Sequence, residues 1–174
     1  MFLGQDRSED VVIVGAGPIG IACAIAALKR GMDPLLIDAG AVVNSIVHYP
    51  IGMTFFTTPE RLEIGGHPFP CAAQKPTREE SIRYYRGVVR NEQIRVSTYT
   101  RLLAATRHKS FLECKVANSG GELRLRCQRV ILASGYFDHP NLMEIPGEDL
   151  PHVRHYFDEA HRSYDQDVVV IGGR

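Results

Sequence analysis

The sequence predicts an α/β fold of the Rossmann type, a parallel sheet carrying an antiparallel β-meander, and three observations predict it. A glycine fingerprint lies between an apolar strand and an apolar helix. An aspartate ends the second strand. A run of alternating residues then gives way to a short continuous apolar strand.

The first element is residues 10–38, DVVIVGAGPIGIACAIAALKRGMDPLLID. Residues 11–14 read as a buried parallel strand, and Gly15, Gly17 and Gly20 supply GxGxxG where strand turns into helix, with Ala16, Pro18 and Ile19 between them. Gly15 allows the tight turn, Gly17 keeps Cβ away from a pyrophosphate, and Gly20 lets helix and strand approach. The free N–H groups and positive dipole end of the helix make an anion site without a cationic side chain. Ala24 is the small residue expected one turn after Gly20, and Gly31 closes the helix after Lys29 and Arg30. Pro34–Ile37 is the second strand. Asp38 ends it, followed by Ala39. Its carboxylate suits ribose hydroxyls and repels a 2′-phosphate, so this site favours FAD or NAD over NADP.

Residues 39–76 are irregular and rich in Gly, Pro, Thr, His and Phe, which reads as a functional loop. Phe55, Phe56 and Phe69 either cover a flat ring system or anchor the loop on the core. Helical pattern resumes at Thr77, which forms a capping box with Glu80, and Ile82, Tyr85, Val88 and Val89 make an apolar stripe ending near Asn91. Strands are expected at 94–98, 101–107, 111–117 and 122–127. The strict alternation from Leu123 to Cys127 makes the last three a half-exposed antiparallel meander. Residues 129–134 read as a separate buried parallel strand closing in Ala133, Ser134 and Gly135.

Composition narrows the class. The chain has 174 residues, with 20 basic and 20 acidic side chains, and this neutrality argues against nucleic acid or an anionic membrane as partner. A small molecule is the expected partner. The opening MFLGQDRSED has no apolar run of signal-peptide length, and no run is long enough to span a bilayer, so a cytoplasmic protein is expected. Cys23, Cys71, Cys114 and Cys127 never approach CxxC spacing, and Cys23, Cys114 and Cys127 read as core or strand residues. His48, His67, His139, His152 and His155 are catalytic candidates by type alone, each more often a loop or surface residue. The absence of HExxH, GxSxG or a metal-spaced cluster removes the usual hydrolase readings. No metal site and no catalytic residue is assigned.

At this point the motifs reach a family. The segments VGAGPIG, NSI with MTFFTTPERLEIG, KPTREESIRYYRGVV, LASGYFDHPN, IPGEDLPHVRHYF and the closing DVVVIGG span nearly all of the chain. On them it resembles the two-dinucleotide-domain flavoproteins of the glutathione-reductase and thioredoxin-reductase type, most closely the bacillithiol-disulfide reductase branch. The resemblance implies FAD along Gly15, Gly17, Pro18, Asp38 and the Asn44, Ser45, Ile46 turn, with Ala133, Ser134 and Gly135 as the turn packing on it. It implies NAD(P)H as hydride donor, a small electron acceptor such as a low-molecular-weight disulfide, and leaves a homo-oligomer open. Residues 1–150 are expected to form the front of the FAD domain. Residues 151–174 are expected to be a linker and the first strand, 167–171, of an NAD(P)H domain cut off inside its fingerprint at Gly172 and Gly173, so a truncated piece of a longer enzyme is expected.

Two other readings fit parts of the sequence. A flavin-containing monooxygenase signature would need Phe where Ile145 stands, fits Gly147, and finds His152 one position late. A nucleotide-binding module without turnover is the third reading. In the bacillithiol branch a cysteine typically sits where this chain has Ile19, and Cys23 lies one helical turn away facing the interior. Reduction of a disulfide through a loop thiol is therefore not expected.

Overall fold

The computed structural model describes residues 8–172 and forms one mixed sheet in three-layer packing. Strand β1 is Ser8–Val14, helix α1 Pro18–Leu28, and β2 Pro34–Ile37. A one-turn helix, α2, covers Asn44–Val47, and α3 covers Arg78–Asn91. Strands β3 (Arg95–Ser97), β4 (Arg101–Arg107), β5 (Leu112–Asn118) and β6 (Gly121–Leu132) complete the sheet, in the order β3-β2-β1-β6-β5-β4. β1, β2 and β3 are parallel, as βαβ crossovers require, and β4, β5 and β6 form the antiparallel meander.

Side-chain alternation along β1 sorts the core into two layers. Val11 and Ile13 face α1 and α3, packing with Ile21, Ala24, Ile25, Tyr85 and Val88. Val12 faces the other way with Leu35 and Ile37, and meets Cys114, Val116, Leu125 and Cys127 from the meander. The meander therefore curls over the face that the helices leave open. Cys114 and Cys127 lie in that layer as expected, both buried, their sulfurs 3.9 Å apart. Their hydrogen bond and their burial push the Cys114 thiol up, which keeps it a neutral core group.

One sequence expectation is corrected here. Residues 122–127 and 129–134 are not two strands but the single strand β6, which ends at Leu132. Arg126 pairs with Glu113 of β5 on one side and Ser8 of β1 on the other, and Cys127 likewise bridges Leu112 and Glu9. No turn is needed because the chain passes from the meander into the parallel sheet without leaving its plane. Nor is the end of β6 buried. Leu132 is 71% exposed.

The loop after β2 is pinned rather than free. Tyr85 donates from its hydroxyl to the Leu62 carbonyl at 2.9 Å, and the Tyr84 hydroxyl accepts from Ile64 N–H and donates to the His67 carbonyl. Burial raises the Tyr85 hydroxyl far above its ordinary value, so it stays a donor. The capping box at the start of α3 is present in full, with Thr77 Oγ1 accepting from Glu80 N–H and the Glu80 carboxylate accepting from Thr77 N–H.

A second correction concerns residues 167–171. They form no strand, and Val169 and Val170 are more than four-fifths exposed. A strand needs a neighbouring backbone to pair with, and none among the described residues lies beside this one.

Candidate functional site

The carboxyl edge of the parallel strands gathers the residues that sequence singled out. β1 runs into Gly15, whose φ of +109° only glycine tolerates and whose N–H donates to the Ile37 carbonyl at 2.8 Å. A Cβ on Gly15 would stand 2.2 Å from the Ala133 carbonyl oxygen, and one on Gly20 would stand 1.8 Å from the Gly15 carbonyl oxygen. Those two glycines thus pack β1, α1 and the end of β6 together. Gly17 differs. It caps α1 in extended backbone, and a Cβ there meets nothing within 4 Å. The space in front of the helix N-terminus is open, and Pro18 at the first helical position offers no N–H of its own.

Asp38 stands across this opening with both carboxylate oxygens held. Oδ2 accepts from Ala16 N–H at 2.7 Å and Oδ1 from Gly40 N–H at 2.7 Å. The carboxylate thereby ties the glycine loop to the turn after β2 and keeps lone pairs for further donors, about four sites being available on an ionised carboxylate. Asn44 closes that turn, its Oδ1 accepting from Ala41 N–H, and it packs so tightly on Gly40 that a Cβ there would overlap it. α2 is tied to the glycine loop through Val43 N–H, which donates to the Ala16 carbonyl at 2.9 Å, and Val43 adopts φ +53° although β-branched. The Ala133, Ser134, Gly135 turn reaches the same edge, Ala133 N–H donating to the Val14 carbonyl at 2.7 Å.

A fourth segment at this edge escaped sequence analysis. Asp38 N–H donates to Ser97, Tyr99 N–H to Gly40 and Thr100 N–H to Asp38, so the β3–β4 turn lies against Asp38. Tyr99 has φ +52° and is two-thirds exposed. No sequence signal marks a tyrosine for the left-handed region.

The remaining candidates divide. Phe69 is buried and stacks on Tyr84 with ring centroids 4.2 Å apart, and Phe55 packs on the core beside Tyr49, so both anchor the loop, while Phe56 is 90% exposed. Tyr49 in turn meets Phe137, just after the Gly135 turn, at 5.2 Å, and burial followed by the charge of Tyr136 pushes its hydroxyl up. Cys23 packs against the core, whereas Ile19 is 69% exposed at the start of α1. Cys71 sits in the loop and donates to the Ala73 carbonyl. His67 pairs with Glu92 at 2.6 Å, His48 bonds the Asn44 carbonyl and His155 lies 3.9 Å from Glu148; none of these contacts involves the glycine loop or Asp38. Gly172 is in the exposed extended tail, where no contact brings it to the site, and Gly173 lies outside the described residues. No group of three metal-ligating side chains is assembled among the described residues, and no helix there is long and apolar enough to cross a membrane.

A glycine-lipped opening on a helix N-terminus, with an acidic strand end beside it and a β-meander in the sheet, defines the dinucleotide-binding fold of flavoprotein reductases. The chain belongs to the pyridine nucleotide-disulphide oxidoreductase family, whose model matches residues 12–174. It is 44% identical over 168 residues to the bacilliredoxin reductase Bdr of Bacillus subtilis, covering 95% of this chain and 50% of that protein. The solved bacillithiol disulfide reductase Bdr from Bacillus cereus superposes with a TM-score of 0.93 at 40% identity, over 97% of this chain and 52% of that one. A flavin monooxygenase from Stenotrophomonas maltophilia shares the fold alone, with a TM-score of 0.66 at 24% identity over 74% of this chain and 38% of that one. The chain spans about half the length of the relatives it matches.

Proposed function

We propose that this chain is the FAD-binding front of an FAD-dependent pyridine-nucleotide oxidoreductase that oxidises NAD(P)H and reduces a small acceptor. The observation that carries the reading is the opening at Gly17, walled by the start of α1 and faced by Asp38. The residues present fit the group. N–H groups of the first turn of α1 take the pyrophosphate, the free face of the Asp38 carboxylate takes the ribose, and Asn44 and Ser45 lie along one side, while the Ile46 side chain is buried in the core and anchors that turn. The Ala133, Ser134, Gly135 turn closes on it from β6. FAD, when bound, supplies the redox centre between hydride donor and acceptor. Residues 1–150 belong to this FAD-binding unit, and 151–174 lead towards the part that takes the nicotinamide nucleotide.

The acceptor is a small molecule, and the name of the solved Bacillus cereus relative favours a low-molecular-weight disulfide. Against a thiol relay in the glycine loop stands Ile19, which offers no sulfur at the mouth of the site, with Cys23 turned into the core. The whole protein is expected to purify yellow and to oxidise NAD(P)H with a quinone as acceptor. NAD(P)H oxidation with bacillithiol disulfide is then compared in wild type, Ile19→Cys and Cys23→Ser. Low turnover in wild type that rises in Ile19→Cys supports the geometry and overturns bacillithiol disulfide as the acceptor. Robust wild-type turnover lost in Cys23→Ser overturns the role given to Cys23, and a colourless protein that cannot be loaded with FAD overturns the reading.

A further inference from the structure

We infer that Arg78, the first residue of α3, is a positioning residue for the cofactor site, holding the Asn44–Val47 turn in place from outside it; the inference rests on the FAD reading above. α2 is a single turn of four residues and cannot hold its own position, since one helical turn fixes several dihedrals for one hydrogen bond. Its ends are held by other parts of the chain. At the N-terminal end, Val43 N–H donates to the Ala16 carbonyl of the glycine loop. At the C-terminal end, the Arg78 guanidinium donates through Nη2 to the carbonyl of Val47, the last residue of α2. The backbone of Arg78 fixes the far side of the same loop, its N–H donating to the Met53 carbonyl at 2.8 Å. Phe55 N–H donates to Pro76, and Thr54 bridges Thr77. One residue on a capped helix thus clamps both ends of the 47–53 segment.

The guanidinium is not placed for stability alone. Its Nε–H is buried without an acceptor, and it is the single buried side-chain polar atom so placed among the described residues. An unmatched donor on a charged group is costly and asks for an explanation. The explanation offered by the geometry is reach. The Arg78 side chain extends to the end of α2, and its third polar group, Nη1, meets the half-exposed Glu79 at 2.6 Å.

The test uses the whole protein with its FAD removed and titrated back. Arg78→Met keeps the side-chain volume and removes the donors, and Arg78→Lys restores one donor towards Val47. Glu79→Ala removes the surface partner only. The expected result is a loss of FAD affinity of about tenfold or more in Arg78→Met, largely recovered in Arg78→Lys and absent in Glu79→Ala. The FAD-free Arg78→Met protein is expected to melt close to wild type, and its bound flavin to show altered visible circular dichroism. Equal FAD affinity in wild type and Arg78→Met overturns the inference, as does an affinity loss in Glu79→Ala as large as that in Arg78→Met. Wild type that binds no FAD at all overturns the underlying reading instead, which keeps the two failures apart.

Discussion

A methyl group on Gly20 would collide with the Gly15 carbonyl, whereas one on Gly17 would stand in open space. The two glycines of one motif should therefore fail in opposite ways. Gly20→Ala is expected to lower soluble yield and melting temperature sharply, because backbone must move to relieve a 1.8 Å contact. Gly17→Val is expected to leave the FAD-free protein folded, since φ −76° and ψ 178° suit any residue, yet to purify without flavin absorbance. A yellow Gly17→Val protein would show that the opening holds no pyrophosphate. At this scale the sequence was most legible, because glycine needs are local: close approach and positive φ are written in the motif itself. Tyr99 and Arg78 were not legible. Their positions depend on segments far along the chain, Tyr99 on Gly40 and Arg78 on Val47.

Elements were readable where caps and periods agree. α3 begins one residue after Thr77 and ends at Asn91, as its capping box and apolar stripe predict. Thr77→Ala is expected to cost about 1 kcal/mol of stability by loss of that cap, read from a chemical denaturation midpoint. Glu80 adds a pH signature. Hydrogen bonds from the Thr77 amide, the Ala72 amide and the Thr77 hydroxyl lower its carboxyl below the ordinary value. A depressed carboxylate stabilises the fold above its unfolded value, and that contribution disappears as pH falls through the native value. Denaturation midpoints across the acid range should therefore fall more steeply for wild type than for Glu80→Gln. Identical slopes would mean that the carboxylate does not act in the cap. The division between meander and parallel strand was misread because alternation and a continuous apolar run differ in pattern, while β6 carries both patterns without a break.

For the molecule as a whole, the fold class followed from the order of elements, since short connections leave few topologies. What order does not convey is cover. Leu132 and residues 168–171 carry apolar side chains that a sequence pattern assigns to an interior and that the described chain leaves exposed. β6 also has a consequence in time. β1 and β2 lie close together in sequence, but Val14 pairs with Leu132, across most of the chain, and Cys127 serves the meander and the parallel sheet at once. Such distant pairing makes closure of the sheet the slow event in folding, because the loop entropy is lost before the contacts form. A nascent chain that has reached only α3 still lacks the strand that joins β1 to the meander. Folding should therefore wait for β6 and then proceed at once through both layers, so that helix content and tertiary signal report a single refolding phase.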